Sequence, residues 1–293
     1  MQRKPNLAEV NAAIPEAELL KEIGSGGFKI VYKASISNQT EAIKLVYLPK
    51  DENDETVLEE NRRRVFRELD ILAKCDSPYI VKLGSIEPRP LEIQSNSYVL
   101  YSEEFLPGDS LQQLLGSGHR PAKEEILELL ACMLGAVQNL MQFRVIHRDI
   151  KPGNIIKTTL SDRPFVLLDL GLAFAVGGSR ITRDSQKIPG TLYYIAPEML
   201  EMNFRQNLDF RADLYTIGLT IYEYASGINP YARRQEDQFT TLYRIKNYKP
   251  KPLNQLRTDL PTDMCNLIDQ LMRKIPALRP ANIDQLLKRQ EAF

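Results

Sequence analysis

The chain has 293 residues, 43% hydrophobic and 26% charged, and its 38 basic and 38 acidic side chains leave a formal net charge of zero. That length allows one or two domains with a sizeable core, and the balanced charge removes the broad basic footprint of a nucleic-acid binder. Three scattered cysteines, Cys75, Cys132 and Cys265, form no CxxC or Cys/His cluster and fit a reducing compartment. No apolar run approaches the roughly 20 residues that cross a bilayer, and residues 1–18 lack a secretory apolar core. The expectation is a cytoplasmic protein without a membrane span or a nucleic-acid partner.

Residues 1–18 form an extension ahead of the first strand signal. Residues 19–36 are β-compatible but broken by Gly24, Gly26 and Gly27, and apolar runs at 41–47, 80–86 and 97–101 predict further strands. Between them Leu58, Val65, Leu69 and Leu72 share one helical face, behind an acidic stretch at 51–55 that reads as a solvated loop. Beyond Pro107 the pattern turns helical. In 123–143, Ile126, Leu129, Leu130, Met133, Leu134, Val137, Leu140 and Met141 recur at steps of three and four. Residues 214–224 are apolar on nearly every side, as in a helix buried all round. Thr262 after Pro261 opens another helix with Met264, Leu267, Ile268 and Leu271 facing inward. Asn282 is placed to cap a last one carrying Ile283, Leu286 and Leu287. The fold class expected is α+β: a small sheet-rich lobe over 19–103, a hinge at 104–108 and a larger helical lobe over 109–293. A cleft between two such lobes is a common ligand site.

Three motifs carry chemistry. Gly24-Ser25-Gly26-Gly27-Phe28-Lys29-Ile30-Val31 lies between two strand signals, where missing Cβ atoms let backbone amides approach phosphate oxygens; a hairpin turn with spare glycines is the plain alternative. It is not a Walker A loop, since no Gly-Lys-Ser/Thr ends it. Lys44, in the apolar strand Glu41-Ala42-Ile43-Lys44, has a phosphate pair or a carboxylate as its natural partner; a surface lysine at a strand end is the plain alternative. Glu68 is favoured over Glu59 and Glu60 for its place one turn before Leu72. The third motif is His147-Arg148-Asp149-Ile150-Lys151-Pro152-Gly153-Asn154, followed by Asp169-Leu170-Gly171 and Ala196-Pro197-Glu198. Phosphoryl transfer needs a carboxylate near the attacking hydroxyl, oxygen ligands for Mg²⁺ and a cation on the transferring group. Asp149 suits the first role, Asn154 and Asp169 the second, and Lys151 the third.

With these residues the chain resembles the eukaryotic-type (Hanks-type) protein kinases over about residues 19–287, and the motif set is highly specific. The resemblance implies a bilobal fold that binds ATP with Mg²⁺ (Mn²⁺ as a substitute) and phosphorylates protein substrates. It implies that Lys44 binds the α- and β-phosphates and pairs with Glu68. Ile23, Val31, Ala42 and Ile156 would enclose the adenine, with backbone groups of Glu104 and Leu106 on its edge. Asp213 would tie the central helix to the catalytic loop, and Arg279 would pair with Glu198. Lys151 after Asp149, with Gly190-Thr191 ahead of Ala196-Pro197-Glu198, resembles the serine/threonine branch, in which the Thr191 hydroxyl bridges Lys151 and Asp149. Arg148 would bind a phosphorylated residue of segment 169–198, with Ser179, Thr182 and Ser185 as candidates. Autophosphorylation on Thr182 or Ser185 follows, accompanied by dimerisation.

Three positions depart from the family pattern. Lys29 stands where a third glycine is usual, and Leu170 replaces the phenylalanine of Asp-Phe-Gly. Glu103 falls where an apolar residue normally guards the pocket; a carboxylate there is costly unless paired, so either the alignment shifts by one or a lysine reaches it. Two other functions remain open: a scaffold module of the same fold, whose usual mark is loss of Lys44, Asp149 or Asp169, and a small-molecule kinase, which usually lacks the Ala-Pro-Glu segment.

Overall fold

Strand β2 (Lys29–Ile36) alternates buried Ile30, Tyr32, Ala34 and Ile36 with half-buried neighbours, the period of two that a sheet with one core face imposes. In the computed structural model of the chain, residues 4–26, 28–50, 56–170, 190–201, 208–233, 236–290 and 293 are described. They fall into two units, one of residues 1–75, 81–106 and 170–181, the other of residues 76–80, 107–169 and 182–293. The sheet-rich and helix-rich units together make the α+β class read from the sequence.

The first unit is built on a five-stranded antiparallel sheet. Its strands are β1 (Glu18–Ser25), β2, β3 (Gln39–Leu48), β4 (Arg89–Ile93) and β5 (Asn96–Glu104), in the order β1-β2-β3-β5-β4. β3 and β5 are buried almost without interruption, as central strands covered on both faces are. One face carries Ile30, Tyr32, Ile43, Leu45, Tyr98 and Leu100. Helix α1 (Leu7–Ala13) places fully buried Val10, and Ile14 just after it, in that same core. The helix is started by a capping box between Asn6 and Glu9. The extension ahead of the first strand is thus part of the unit's core. Helix α2 (Thr56–Lys74) packs against β3 and buries Val65, Leu69 and Leu72 as the periodicity predicts, with Leu58 half-buried.

The run 80–86 is not a strand. It makes isolated bridges, Ile80 to Leu167 and Leu83 to Glu103, and exchanges three backbone hydrogen bonds with β5: Gly84 N–H to the Ser102 carbonyl at 2.8 Å, Ser102 N–H to the Ile86 carbonyl at 3.1 Å and Glu104 N–H to the Lys82 carbonyl at 3.0 Å. Side chains of β3 and β5 take amides that a ladder would use: Ser85 N–H donates to the Glu41 carboxylate at 2.9 and 3.1 Å, Ile86 N–H to Ser102 Oγ at 2.8 Å, and Lys82 N–H to Glu104 Oε1 at 2.8 Å. The edge strand is instead β4, whose Arg89, Pro90 and Glu92 hide it from a hydropathy reading; proline and charge are usual on an edge.

The second unit is helical around a small sheet of β6 (Gly108–Ser110), β7 (Ile155–Thr158) and β8 (Phe165–Leu167). Gly108 is required there: its φ is +145° and a Cβ would lie 2.0 Å from the Lys157 carbonyl oxygen. Following α3 (Leu111–Gly116), helix α4 (Lys123–Gln142) buries seven of the eight apolar residues named for it, Met141 being half-buried. It packs on α5 (Arg211–Ser226), which is buried without a break from Ala212 to Tyr222. Helix α6 (Gln238–Asn247) follows. Helix α7 (Thr262–Leu271) crosses α5 closely at Gly218, where a Cβ would meet Leu271 Cβ at 2.7 Å. Helix α8 (Ile283–Gln290) is capped by Asn282, whose Oδ1 accepts the Gln285 N–H at 3.0 Å. Among the described residues no helix is long and apolar enough to cross a membrane.

Candidate active site

The loop after α4 gathers the polar residues that the hydrophobic pattern around it cannot explain. His147, Asp149 and Asn154 are buried, and each is held from several sides. The fully buried Asp213, in the first turn of α5, accepts the His147 and Arg148 backbone N–H groups, both at 2.8 Å. Burial pushes its carboxyl above the ordinary range, while His147 and the two amides pull the other way. Thr220, two turns along α5, donates to the Ile150 carbonyl at 3.4 Å. The loop therefore hangs from α5, the tie that the family resemblance implies for Asp213.

Within the loop, Asp149 is the hub. Lys151 Nζ lies 2.9 and 2.8 Å from its two carboxylate oxygens. Asn154 Nδ2 donates to the Asp149 carbonyl at 2.9 Å and to Oδ2 at 2.8 Å. Those bonds commit the amide nitrogen of Asn154 and turn its oxygen into the end available to a hard cation. The Leu168 N–H donates to the Asn154 carbonyl at 2.8 Å, and His147 Nε2 sits 3.2 Å from the Leu168 carbonyl, so the backbone leading into Asp169 is fastened to the same loop. Arg148 and Asp169 both have left-handed backbone, with φ of 66° and 55°. Non-glycine residues held there are uncommon and cluster at functional sites. Ile156 follows on β7, paired with Ser110 and Val166.

In the other unit, strand register brings a second set together. Gly24 pairs with Val31, Val31 with Lys44, and Lys44 with Tyr101; Ala42 lies opposite Glu103. Opposed residues share a face, so Val31, Ala42, Lys44, Tyr101 and Glu103 stand together, away from the face that α1 covers. A Cβ on Gly26 would meet nothing within 4 Å, and one on Gly24 only Val31 at 3.9 Å. Packing requires neither glycine. Ile23 is exposed and Leu106 buried. Glu104 takes the Lys82 amide, and Glu68 is half-buried on α2. The Lys44 ammonium forms an ion pair with the Glu103 carboxylate, so a lysine does reach that residue.

Ala196-Pro197-Glu198 is anchored as expected. Arg279 is buried and makes a bidentate pair with Glu198 at 2.6 and 2.7 Å. Beside it lies a network that the sequence does not announce. Lys274 Nζ contacts Tyr231 Oη at 2.6 Å, Tyr215 Oη at 3.2 Å and the Ile245 carbonyl at 2.5 Å. Burial first, and then Arg279, pull its ammonium down to about 7. The only sequence signal is a lysine five residues before Arg279. Ser179, Thr182 and Ser185 lie outside the described residues, as do Gly27 and the acidic stretch 51–55, and the Thr191 side chain is likewise not described.

A sequence model of the protein kinase domain matches residues 17–290. A probable serine/threonine-protein kinase of Clostridium perfringens is 26% identical over 266 residues, which are 89% of this chain and 36% of that protein. Serine/threonine-protein kinase 10 of Danio rerio is 29% identical over 268 residues, 90% of this chain and 25% of that one. The chain thus spans well under half the length of these relatives. Among solved structures, Rad53 1–466 in complex with AMP-PNP superposes with a TM-score of 0.70 at 23% identity, over 93% of this chain and 64% of that one.

Proposed function

Since the chain belongs to the protein kinase family, we propose that it is an ATP-dependent protein kinase that transfers the γ-phosphate to serine and threonine hydroxyls of other proteins. The observation that carries this reading is the Asp149 hub: a buried carboxylate fixed by Lys151 and Asn154 on a loop hung from Asp213. The AMP-PNP bound to the structurally similar Rad53 supports ATP as the phosphate donor.

In this mechanism the acceptor hydroxyl lies against Asp149, which orients it and takes its proton as the oxygen attacks the γ-phosphorus and the bond to the β–γ bridging oxygen breaks, releasing ADP. Lys151, already paired with Asp149, offers its positive charge to the transferring phosphoryl group. Lys44 binds the α- and β-phosphates, with Glu68 in the set that positions it. The open glycines 24 and 26 let backbone amides approach the phosphates. Val31, Ala42, Ile23 and Ile156 enclose the adenine, with Glu104 and Leu106 on its edge. The oxygen of Asn154 and the carboxylate of Asp169 are hard donors that fit Mg²⁺, which would neutralise phosphate charge when bound. The lobes of this fold are assigned to 19–103 and 109–293, joined at 104–108. Three free cysteines among the described residues agree with a cytoplasmic setting. Arg148 would receive a phosphate on Thr182 or Ser185 after autophosphorylation between two copies of the chain.

The test is incubation with ATP and Mg²⁺ in the presence of a generic acceptor protein and, separately, of sugars and aminoglycosides. Phosphate on serine or threonine of protein, with a mass increment on the chain itself that Thr182→Ala plus Ser185→Ala removes, is the expected result. Phosphate only on a small molecule, or ATP binding without transfer, would overturn the assignment.

A further inference from the structure

We infer that Glu103 is a positioning residue for the phosphate-binding Lys44, acting from inside the sheet; the inference rests on the kinase reading above. Lys44 and Glu103 are 3% and 1% exposed, so both charges are withdrawn from water, a cost that only pairing offsets. Their pairing is dictated by register. The ladder runs without a break from Glu41 opposite Glu104 to Leu48 opposite Ser97, which sets Ala42 across from Glu103 and Lys44 across from Tyr101. Lys44 and Glu103 are then diagonal neighbours on one face, within reach of long side chains. Tyr101 closes the site: it is fully buried, and the Lys44 ammonium lies 5.9 Å from its ring centre.

This arrangement has a functional consequence. A phosphate-binding lysine works only if its ammonium stays protonated and stays in place. A carboxylate one strand away secures both, because central strands of a sheet are the least deformable frame in the unit. A counter-ion carried on a helix moves with that helix, whereas the β3–β5 ladder fixes the backbone positions of Lys44 and Glu103 relative to each other. Among the described residues, strand register places Glu103 and Tyr101 of β5 on the face of Lys44, with Lys33 of β2 opposite Ala42, and α2, which carries Glu68, packs against β3. Of these, Glu103 is the buried anion joined to it by strand register.

Equilibrium binding of ATP and of adenosine to the parent, Glu103→Gln and Glu103→Asp chains, at pH 7 and pH 9, tests this. Adenosine has no phosphates and does not sense Lys44. In Glu103→Gln the buried ammonium loses a carboxylate that favours its charged form. ATP affinity should drop at least tenfold at pH 7 and further at pH 9, while adenosine affinity stays within twofold. The parent should show the same ATP affinity at both values. Glu103→Asp keeps the charge but shortens the reach: a loss of about threefold without pH dependence is expected. Should Glu103→Gln fail to fold, the Asp variant decides, ATP weakened with adenosine unchanged supporting the role and both unchanged overturning it. Unaltered or tighter ATP binding by Glu103→Gln overturns the inference, and so does a parallel loss of adenosine binding, which would place Glu103 against the base or in the fold alone. Failure of the parent chain to bind ATP would overturn the kinase reading and the inference with it.

Discussion

Replacing Arg279 by alanine should cost the chain a large part of its stability without touching the Asp149 loop. The Arg279 guanidinium makes two bonds to Glu198 and donates to three carbonyls, those of Arg273 at 2.7 Å, Arg211 at 2.8 Å and Lys274 at 3.2 Å. It also stacks over Tyr215, 4.9 Å from the ring centre. The Arg279 side chain is fully buried and that of Glu198 is 17% exposed, so the carboxylate left behind cannot resolvate freely. Breaking one partner of such a pair costs about 3–5 kcal/mol, against a total stability of roughly 5–15 kcal/mol for a domain. Thermal unfolding should therefore fall by roughly 10 °C. Arg279→Lys keeps the charge but loses the planar fork, so its loss should be intermediate. Glu198→Gln added to Arg279→Ala should return part of the loss, because it neutralises the carboxylate left unpaired; a coupling of at least about 1 kcal/mol is expected from the double-mutant cycle. An Arg279→Ala chain within about 1 kcal/mol of the parent would refute the reasoning.

Other outcomes follow from the same geometry. Asp213→Asn replaces one of the two acceptors that hold the His147 and Arg148 amides; ATP affinity should be preserved while phosphate transfer falls about 100-fold, the scale of a small misplacement of reacting groups. Gly108→Ala forces a Cβ toward the Lys157 carbonyl at φ +145°, and urea unfolding should show a loss of about 1–3 kcal/mol. Lys274 should make stability depend on pH: its folded pKa is about 7 against 10.5 ordinarily, so between those values the unfolded chain holds a proton that the folded chain lacks. Stability should then rise with pH across that window, and the difference curve between the parent and Lys274→Met should carry this slope. A flat difference curve would mean that the two tyrosine hydroxyls and the Ile245 carbonyl keep the ammonium charged.

The 147–154 loop is legible in the sequence because its contacts are local: Asp149, Lys151 and Asn154 lie within six residues and bond to one another. Asp213 is legible for a different reason, since an acid at the head of a helix that is otherwise apolar has to be satisfied by something buried. Long-range pairing is harder. A lysine in a strand and a glutamate about sixty residues later become neighbours only through register, which depends on the whole ladder. The run 80–86 reads as a strand by composition, but Glu41, Ser102 and Glu104 side chains capture the amides of Ser85, Ile86 and Lys82, an outcome that no hydropathy pattern contains. Helix α1 is too short to stand alone, so its existence depends on Val10 and Ile14 finding the sheet. The Lys274 network joins residues from α5, the segment after it, α6 and the segment after α7, and nothing local marks them as partners.

The role given to Asp149 is tested most directly by single-turnover transfer from γ-labelled ATP to an acceptor protein, comparing the parent with Asp149→Asn. The amide keeps the size of the carboxylate and removes the charge that orients the hydroxyl and takes its proton. ATP affinity should stay within about threefold of the parent, while label on serine and threonine falls by about 10²–10⁴, the usual worth of a general base. Transfer retained within tenfold, with ATP bound as before, would contradict the assignment of Asp149 to the reacting hydroxyl.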